Sequence, residues 1–369
     1  MRILMTVNAA WNIRNFRRPL LDKLLERGDQ VCVLAPPDDA VPDLKAVGVD
    51  FVPLEMDNKG LNPLRDAHLA LKLYRNLRAQ RPDVVLSWTI KNNIYGAFAA
   101  RLAGVPFLPN VSGLGTAFLS GGTLQWVAET LYRGAFAQLE TVFFQNEEDR
   151  ALFLSRGLVT QGQAKGVPGS GIDLHRFVTS PPPDGPPVFL MIARLLRDKG
   201  VIEYVDAARR VRMQHPDALF RLIGAADSNN RSAISRAEVQ GWQDEGIVEY
   251  LGTADDVRPH IARAHCVVLP SYREGAPRTL IEGAAMARPL IATDVPGCRS
   301  VVEDGHNGLL CAPRSGQALA EAFTRFLALP EAERSAMGLA GRQKMQDEFD
   351  QAIVVNAYLR AIDSAVGRG

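Results

Sequence analysis

The stretch Cys266-Val-Val-Leu-Pro-Ser-Tyr-Arg-Glu-Gly-Ala-Pro-Arg-Thr-Leu-Ile-Glu282 combines a short apolar run, a Gly/Pro turn and the start of a helical pattern. The run 266–270 predicts a buried β-strand, and a helix is expected to begin at Pro277, because the N–H that proline lacks would be unpaired there anyway. The stretch therefore predicts a βα unit whose helix N-terminus lies at the carboxyl edge of a parallel sheet. Free N–H groups and the positive end of the helix dipole make such an edge suitable for phosphate.

The same alternation of apolar runs and helical patterns continues in both directions, which predicts an α/β fold with doubly wound parallel sheets. A first series of predicted strands covers 2–7, 31–35, 51–54, 84–88, 106–109 and 142–145, and a second covers 188–193, 219–224, 248–251, 266–270, 290–293 and 308–311. Helices are predicted at 16–27 and 64–79, and an amphipathic helix near 351–366.

Two series of this kind predict two Rossmann-like domains. The proline-rich segment 180–187 interrupts the alternation and is interpreted as a joint. The domains are expected to cover 1–168 and 169–350, and the C-terminal helix, about 351–369, could pack on either domain and is assigned to the first.

Composition excludes several classes of protein. The 369 residues are 47% hydrophobic and 22% charged, with a net charge of +1, so nothing indicates nucleic-acid binding. The four cysteines form no Cys-x-x-Cys pair, which argues against a zinc ribbon or redox dithiol and fits a reducing cytosol. No signal peptide and no apolar run of about 18 residues is visible, so a cytoplasmic protein is expected.

Two glutamates and two cations are the candidates for chemistry. Glu274 lies on the turn and Glu282 about two helical turns further, so both can face one ligand, and carboxylates suit hydroxyl-rich sugars because they accept several hydrogen bonds. Arg194 and Lys199 follow the strand 188–193 and suit a diphosphate. Each pair alone also fits a solvated helix start or a solvated basic loop.

Other chemistries have less support. The glycine-containing segments 110–118 and 169–171 lack the third glycine of the dinucleotide fingerprint, which argues against a nicotinamide dehydrogenase. His-Glu-x-x-His, the P-loop pattern and Gly-x-Ser-x-Gly do not occur. No Asp-x-Asp occurs either, so a diphosphate site without metal is predicted.

Together these pieces resemble the retaining glycosyltransferases of family four, over nearly the whole chain. The run 274–287, EGAPRTLIEGAAMA, resembles their E-x7-E motif, Arg194 and Lys199 resemble their diphosphate-binding pair, and Gly169–Phe177 resembles the opening of their second domain. The resemblance implies the GT-B fold, in which two Rossmann-like domains face a central cleft. It also implies a hexosyltransferase that uses neither metal nor cofactor, in which Arg194 and Lys199 stabilise the leaving diphosphate.

The resemblance assigns roles by position in the motif. It implies that Glu274 contacts the donor sugar and, with Arg194 and Lys199, is catalytic. It implies that Glu282 binds the ribose hydroxyls of the donor. The other residues that it places at the donor are Gly275, Ala276, Pro277, Arg278 and Thr279, with the backbone of Leu251, Gly252 and Thr253 at the nucleobase.

The N-terminal half resembles a narrower group, the enzymes that extend undecaprenyl-diphosphate-linked sugars with a UDP-activated hexose or N-acetylhexosamine. Its marks are Trp11-Asn12, Asn15–Arg17, 59–64, Thr89–Tyr95 and Gly113–Gly115. The first-domain histidine of many family members is missing, and Asn110 or Ser112 would take its place. The expected acceptor-side residues are Asn12, Asn15, Arg17, Lys91, Asn110, Ser112, Gly113 and Gly115.

Two alternatives remain open: a UDP-sugar 2-epimerase of the same architecture, and a non-catalytic nucleotide-sugar-binding protein. For the transferase, the lipid-linked acceptor implies weak, salt-sensitive binding to the anionic inner face of the cytoplasmic membrane. Candidate contacts are Arg14, Arg17 and Arg18, then Lys72, Arg75 and Arg78, and the apolar residues Phe118, Leu119, Trp126, Leu131, Tyr132 and Phe136. The same residues would also fit solvated helix faces and a core.

Overall fold

The computed structural model describes residues 1–57, 62–114, 122–227, 230 and 232–367. It divides the chain into two compact units, Met1–Gly171 with Gln351–Gly369, and Ile172–Asp350. The sequence placed this division after residue 168, close to where it falls. The interpretation of 180–187 as the joint is wrong, because that segment lies inside the second unit.

The first unit is built on a seven-stranded sheet with the order β3-β2-β1-β4-β5-β6-β7, in which every neighbouring pair is parallel. Its strands are β1 Arg2–Thr6, β2 Gln30–Ala35, β3 Asp50–Pro53, β4 Val84–Trp88, β5 Phe107–Val111, β6 Val142–Phe144 and β7 Ala164–Gly166. The strand order reverses between β1 and β4, the usual place for a binding site in a doubly wound sheet.

Helices cover this sheet: α1 Ala10–Phe16, α2 Arg18–Glu26, α3 Val41–Ala46, α4 Pro63–Gln80, α5 Ile90–Ala103, α6 Gly122–Phe136 and α7 Glu147–Ser155. The single helix predicted over 16–27 is divided at Arg17, whose φ of −123° and ψ of 6° leave helical geometry. The helix α1 and the strand β7 were not predicted from the sequence.

The second unit has a six-stranded parallel sheet with the order β10-β9-β8-β11-β12-β13. Its strands are β8 Val188–Ile192, β9 Leu219–Ile223, β10 Glu249–Tyr250, β11 Cys266–Leu269, β12 Leu290–Thr293 and β13 Gly308–Cys311. Its helices are α8 Val201–Arg212, α9 Arg236–Asp244, α10 Arg258–Ala262, α11 Arg278–Ala285, α12 Cys298–Val301, α13 Gly316–Ala328 and α14 Glu331–Glu348.

Apolar clusters pack on both faces of each sheet, which explains why the strands read as continuous apolar runs. In the second unit the rings of Phe189 and Phe220 stack with centroids 5.1 Å apart, and Phe323 of α13 lies 4.5 Å from Phe189. All four cysteines, Cys32, Cys266, Cys298 and Cys311, are buried and free.

Arg288 fixes the proline-rich segment to the second unit. Its side chain, 2% exposed, donates hydrogen bonds to the carbonyls of Ser180 and Pro181 and to the Ser180 hydroxyl, at 2.6–2.9 Å. It also donates to the carbonyls of Ile261 and Ala262. Burial lowers the pKa of Arg288 to about 10. These bonds make 180–187 part of the domain rather than a free linker.

The last helix, α15 Gln351–Ala365, belongs to the first unit. Its Tyr358 is fully buried, and the hydroxyl accepts hydrogen bonds from Trp88 Nε1 at 3.0 Å and Asn110 Nδ2 at 2.8 Å. Trp88 and Asn110 lie near the carboxyl ends of β4 and β5, so the C-terminal helix supports the edge where a ligand is expected.

Replacement of Tyr358 by Phe tests this attachment. The change leaves two buried donors without their acceptor, so the free energy of unfolding should fall by about 1–3 kcal/mol in urea titrations. Tyr74→Phe is the matched control, because Tyr74 packs on the same unit and its hydroxyl has no hydrogen bond to a described residue. Equal losses in the two variants would contradict the role of the Tyr358 hydroxyl.

Candidate active site

The turn between β11 and α11 and the segment after β8 meet at the carboxyl edge of the second sheet. Gly200, with φ of +76°, lies so close to Pro270 that a Cβ would stand 2.0 Å from the Pro270 carbonyl oxygen. Gly297, with φ of +80°, approaches the turn in the same way, 2.5 Å from the Glu274 carbonyl oxygen. Two glycines therefore permit the close approach of the loops that carry the candidate residues.

Lys199 and Glu274 form an ion pair in this place, although they are distant in sequence. Lys199 Nζ donates to Glu274 Oε1 at 2.5 Å, and the side chains are only 22% and 12% exposed. Lys199 ends a 3-10 turn, Arg197–Lys199, that follows β8. The structure thus brings together two of the three residues that the sequence marked as catalytic.

Asp198 and Tyr272 hold the two loops together. The Tyr272 N–H donates to the Asp198 carbonyl at 2.9 Å, and the Ser271 hydroxyl donates to the same oxygen at 3.2 Å. The Tyr272 hydroxyl donates to Glu203 Oε1 at 2.6 Å. Burial, together with the Glu203 carboxylate, raises the pKa of Tyr272 to about 12. The positions of Lys199 and Glu274 are therefore set before any ligand binds.

Glu282 lies on α11, about one turn from its start, and is 8% exposed. Arg278 Nε donates to Glu282 Oε1 at 2.8 Å. Burial raises the pKa of Glu282, while the positive charges of Arg278 and Arg176 oppose that shift and Asp256 adds to it. A buried carboxylate with a single close cation is suited to bind the hydroxyls of a ligand.

Thr279 joins the first turn of α11 to the end of β8, because its hydroxyl donates to the Ile192 carbonyl at 2.7 Å. This places the helix N-terminus beside the segment that begins at Arg194. The side chain of Arg194 is exposed and has no hydrogen bond or ion pair with a described residue, while the Arg194 carbonyl accepts a hydrogen bond from Leu196 N–H at 2.8 Å. Pro277 is the N-cap of α11 rather than its first residue, with φ of −74° and ψ of 96°.

The remaining predicted donor residues border the same edge. Gly275 and Ala276 complete the turn before α11 and are half-buried. The segment of Leu251, Gly252 and Thr253 follows β10, and the Gly252 carbonyl accepts a hydrogen bond from Gly224 N–H at 2.8 Å. Leu251 is 39% exposed. The structure thus arranges the loops after β8, β10 and β11 along one edge.

The predicted acceptor-side residues of the first unit lie in different surroundings. Asn12 and Asn15 lie on α1, and Asn15 Nδ2 donates to the Trp11 carbonyl at 2.8 Å. Arg17 is 5% exposed, and its guanidinium carbon lies 5.1 Å from the centroid of the Trp88 ring. Ser112 and Gly113 follow β5 and are half-buried, whereas Gly115 lies outside the described residues.

Two of these residues differ from expectation. The predicted strand ended at residue 109, but β5 extends to Val111, so Asn110 lies within the strand, where it is fully buried and bonded to Tyr358. Lys91 Nζ lies 2.7 Å from Asp66 Oδ1 in a pair that is 15% and 10% exposed, and Asp66 also accepts from the Tyr95 hydroxyl. Lys91 thus connects α5 to α4.

The predicted basic cluster at the first helix is wrong as a positive patch. Arg14 pairs with Asp43 at 2.8 Å, Arg18 pairs with Asp22 at 2.6 Å, and Arg17 is buried. The carboxylates of Asp43 and Asp22 therefore compensate the two partly exposed arginines of the cluster.

The other proposed membrane contacts differ in their exposure to solvent. On α4, Lys72 lies 3.7 Å from Glu55, while Arg75 and Arg78 are exposed. Among the apolar residues, Trp126 is 66% exposed. Tyr132 and Phe136 belong to the core and Leu131 is partly buried against it, whereas Phe118, Leu119 and the segment 59–61 lie outside the described residues.

Within the described part of the chain, no group of three or more His, Cys, Asp or Glu side chains is arranged to hold a metal ion. No helix in that part combines the length and apolar character needed to cross a bilayer. Sequence reasoning missed Asp198, Glu203 and Tyr272 as supports of the site. Tyr272 lies in the quoted stretch, but its partners become visible only in the fold.

The fold consists of two doubly wound domains, and the comparisons give the family of the chain. A model described as "Glycosyl transferase 4-like domain" matches residues 13–168, and one described as "Glycosyl transferases group 1" matches residues 186–328. The chain belongs to the group 1 glycosyltransferases and is a transferase with the GT-B fold.

Two relatives and one structure illustrate the similarity. The chain is 28% identical to the N,N'-diacetylbacillosaminyl-diphospho-undecaprenol α-1,3-N-acetylgalactosaminyltransferase of Campylobacter jejuni, over 99% of each chain. It is 25% identical to the UDP-Gal:α-D-GlcNAc-diphosphoundecaprenol α-1,3-galactosyltransferase of Escherichia coli, over 70% of each. The crystal structure of Anabaena HepE in complex with UDP superposes with a TM-score of 0.79 at 17% identity, covering 99% of this chain and 100% of HepE.

The burial of Glu282 predicts a dependence of stability on pH. Because the folded protein disfavours the ionised form, the stability contributed by this group is fully present below the ordinary pKa of about 4.5 and is lost as the pH rises through the raised pKa. Glu282→Gln removes this ionisation. Urea unfolding should therefore show the variant gaining free energy of unfolding relative to wild type between about pH 4.5 and neutral pH.

Glu333→Gln, at an exposed position of α14, serves as the control and should show a flat difference over the same range. If the difference in free energy of unfolding between Glu282→Gln and wild type stays constant or shrinks as the pH rises, the folded protein does not disfavour the ionised form of Glu282.

Proposed function

We propose that this glycosyltransferase moves a hexose or N-acetylhexosamine from a UDP-sugar, with retention at the anomeric carbon, to an undecaprenyl-diphosphate-linked saccharide in surface polysaccharide or glycan biosynthesis. The observation that carries the proposal is the Lys199–Glu274 ion pair beside the N-terminus of α11. A cation for the diphosphate and a carboxylate for the sugar are thereby held in contact, next to the N-terminal end of a helix.

The proposed binding exchanges one ion pair for several ligand contacts. Lys199 turns from Glu274 to an oxygen of the donor diphosphate, and the exposed Arg194 reaches the same group from the preceding loop. Glu274 then accepts hydrogen bonds from hydroxyls of the sugar, and Glu282 accepts them from the ribose. Because the loops are already fixed by Asp198 and Tyr272, little ordering is needed when the donor arrives.

The proposed reaction needs no nucleophile from the protein. The bond between the anomeric carbon and the diphosphate oxygen breaks, and the acceptor hydroxyl forms the new bond on the same face. The leaving diphosphate takes the proton of that hydroxyl. Lys199, Arg194 and the N–H groups of α11 stabilise the negative charge that develops on the diphosphate, which is the main electrostatic demand of the step.

The choice of donor and stereochemistry rests on the relatives. Both named transferases form an α-1,3 linkage, and the Escherichia coli enzyme is named for UDP-Gal. UDP-galactose carries its sugar in α linkage, so an α-linked product retains the configuration. We extend this outcome to the present enzyme because of its similarity to these two relatives.

The proposed acceptor is lipid-linked, and the enzyme is proposed to act in the cytoplasm at the anionic inner face of the membrane. Both relatives are named for undecaprenol-linked acceptors. The surface that supports the contact lies on α4 and α6, which both pack against α5. Its exposed residues are Leu64, Leu71, Arg75, Arg78, Trp126 and Val127. A few basic and apolar residues give weak and reversible attachment.

We also propose that transfer needs neither a divalent metal nor a cofactor. Lys199 and the positive end of the α11 dipole support this proposal, because both can supply positive charge to a diphosphate. The direct test incubates the protein with UDP-hexoses and UDP-N-acetylhexosamines in EDTA, with and without an undecaprenyl-diphosphate-linked saccharide. UDP release should require the acceptor and survive EDTA, and NMR of the product should show the anomeric configuration of the donor.

Other results would redirect the assignment. Release of a free, epimerised sugar without acceptor would indicate a UDP-sugar 2-epimerase, and activity that EDTA abolishes and magnesium or manganese restores would contradict the metal-free site. Flotation with anionic vesicles at low salt, lost at high salt, is expected for the membrane contact. Equal transfer to a short water-soluble acceptor without any flotation would contradict it.

The two carboxylates are predicted to differ in the step that they affect. Glu282→Gln removes a ribose contact and should weaken UDP binding about tenfold, the lower limit for a hydrogen bond to a charged group. Glu274→Gln should lower kcat more than UDP affinity, because the sugar contact tightens in the transition state. Calorimetry with UDP and steady-state kinetics separate the effects, and the reverse pattern would mean that the two roles are exchanged.

A further inference from the structure

Arg278 occupies a position that the local physics of α11 does not favour. It is the first residue of the helix, where the dipole presents its positive end and disfavours a cation. It pairs with Glu282 four residues later, and this order, cation before carboxylate, is the weaker of the two possible orders on a helix. The stability of the helix therefore gives no reason for the pair.

The geometry of the pair is specific to one carboxylate oxygen. Arg278 Nε binds Glu282 Oε1 at 2.8 Å, with side chains that are 31% and 11% exposed. Glu282 Oε2 has no hydrogen bond to a described residue. The carboxylate is thus fixed at one oxygen and has the other available for a ligand.

The neighbouring charges have other partners or lie further away. Asp256, which faces Glu282 from the loop before α10, is bound by Arg258 at 2.7 Å. Arg176 is exposed and has no hydrogen bond to Glu282, although its charge acts on that carboxylate. Arg278 is accordingly the cation that holds the carboxylate at hydrogen-bond distance, whereas Arg176 acts through its field.

We propose that Arg278 is a positioning residue for recognition of the donor ribose: it binds Oε1 of Glu282 and thereby directs Oε2 toward the ribose hydroxyls. The proposal rests on the proposed function, in which Glu282 binds the ribose. Without this contact, the Glu282 side chain would populate other rotamers, in which Oε2 points away from the ribose. The preference for an intact ribose would then depend on Arg278, which does not contact the ribose itself.

The test compares the affinity of UDP with that of 2′-deoxy-UDP and 3′-deoxy-UDP, measured by calorimetry on the full chain. The wild type should prefer UDP to at least one deoxy analogue by about tenfold. Arg278→Met should bring this ratio close to one, and Arg278→Lys should restore much of it. Arg176→Met, which removes a nearby cation without a bond to Glu282, is the matched control and should keep the wild-type ratio.

The outcomes separate this proposal from the function on which it rests. If Glu282→Gln abolishes the preference and Arg278→Met keeps it, the positioning role is overturned and the ribose assignment stands. A loss of affinity in Arg278→Met that is equal for UDP and its deoxy analogues would place Arg278 at the diphosphate and overturn the positioning role as well. If Glu282→Gln keeps the preference, both the ribose assignment and the role of Arg278 are wrong.

Discussion

The ion pair between Lys199 and Glu274 is the interaction on which the arrangement of the second unit's site depends. A pair with side chains 22% and 12% exposed has lost much of its hydration, and the attraction compensates that loss only if the geometry is held. The backbone bonds from Tyr272 and Ser271 to Asp198 provide this hold, and Gly200 permits the close approach. The loops that carry both charges are therefore ordered by contacts away from the charges themselves.

The parallel sheet explains why these loops meet. Its strands all present their carboxyl ends at one edge, and the strand order reverses between β8 and β11, so the loops after these two strands are neighbours there. Thr279 ties α11 to the end of β8 and points the helix N-terminus at the same place. Glu282 and Arg278 lie on the helix just beyond it. Both of these carboxylate–cation pairs are costly to bury, which is typical of a site that is shaped for a ligand rather than for stability.

Much of this was predictable from residue pattern. Strands such as 84–88 and 290–293 are buried on both faces. An uninterrupted apolar run between two helical patterns is typical of such a strand in a parallel sheet. The spacing of Glu274 and Glu282 predicted one carboxylate on the turn and one on the helix, as observed. Such features depend on neighbours in sequence or on the period of an element, and both can be read from one chain.

The predictions that were wrong concern residues whose partners are distant in sequence. The segment 180–187 looked like a linker because proline breaks regular structure, but Arg288, more than a hundred residues later, binds its carbonyls. The arginines at the first helix looked like a basic patch until Asp43 was found beside Arg14. Asn110 was expected on the acceptor side, and its contact with Tyr358, on the last helix, could not be predicted from the sequence.

The central claim is that Lys199 exchanges Glu274 for the diphosphate of the donor, and the affinity of Lys199→Met for UDP and for uridine tests it most directly. Uridine has the base and ribose but no phosphate, so the account predicts unchanged uridine binding and a loss of UDP affinity of about ten- to a hundredfold. Unchanged UDP binding in the folded variant, or an equal loss for uridine and UDP, would contradict the account.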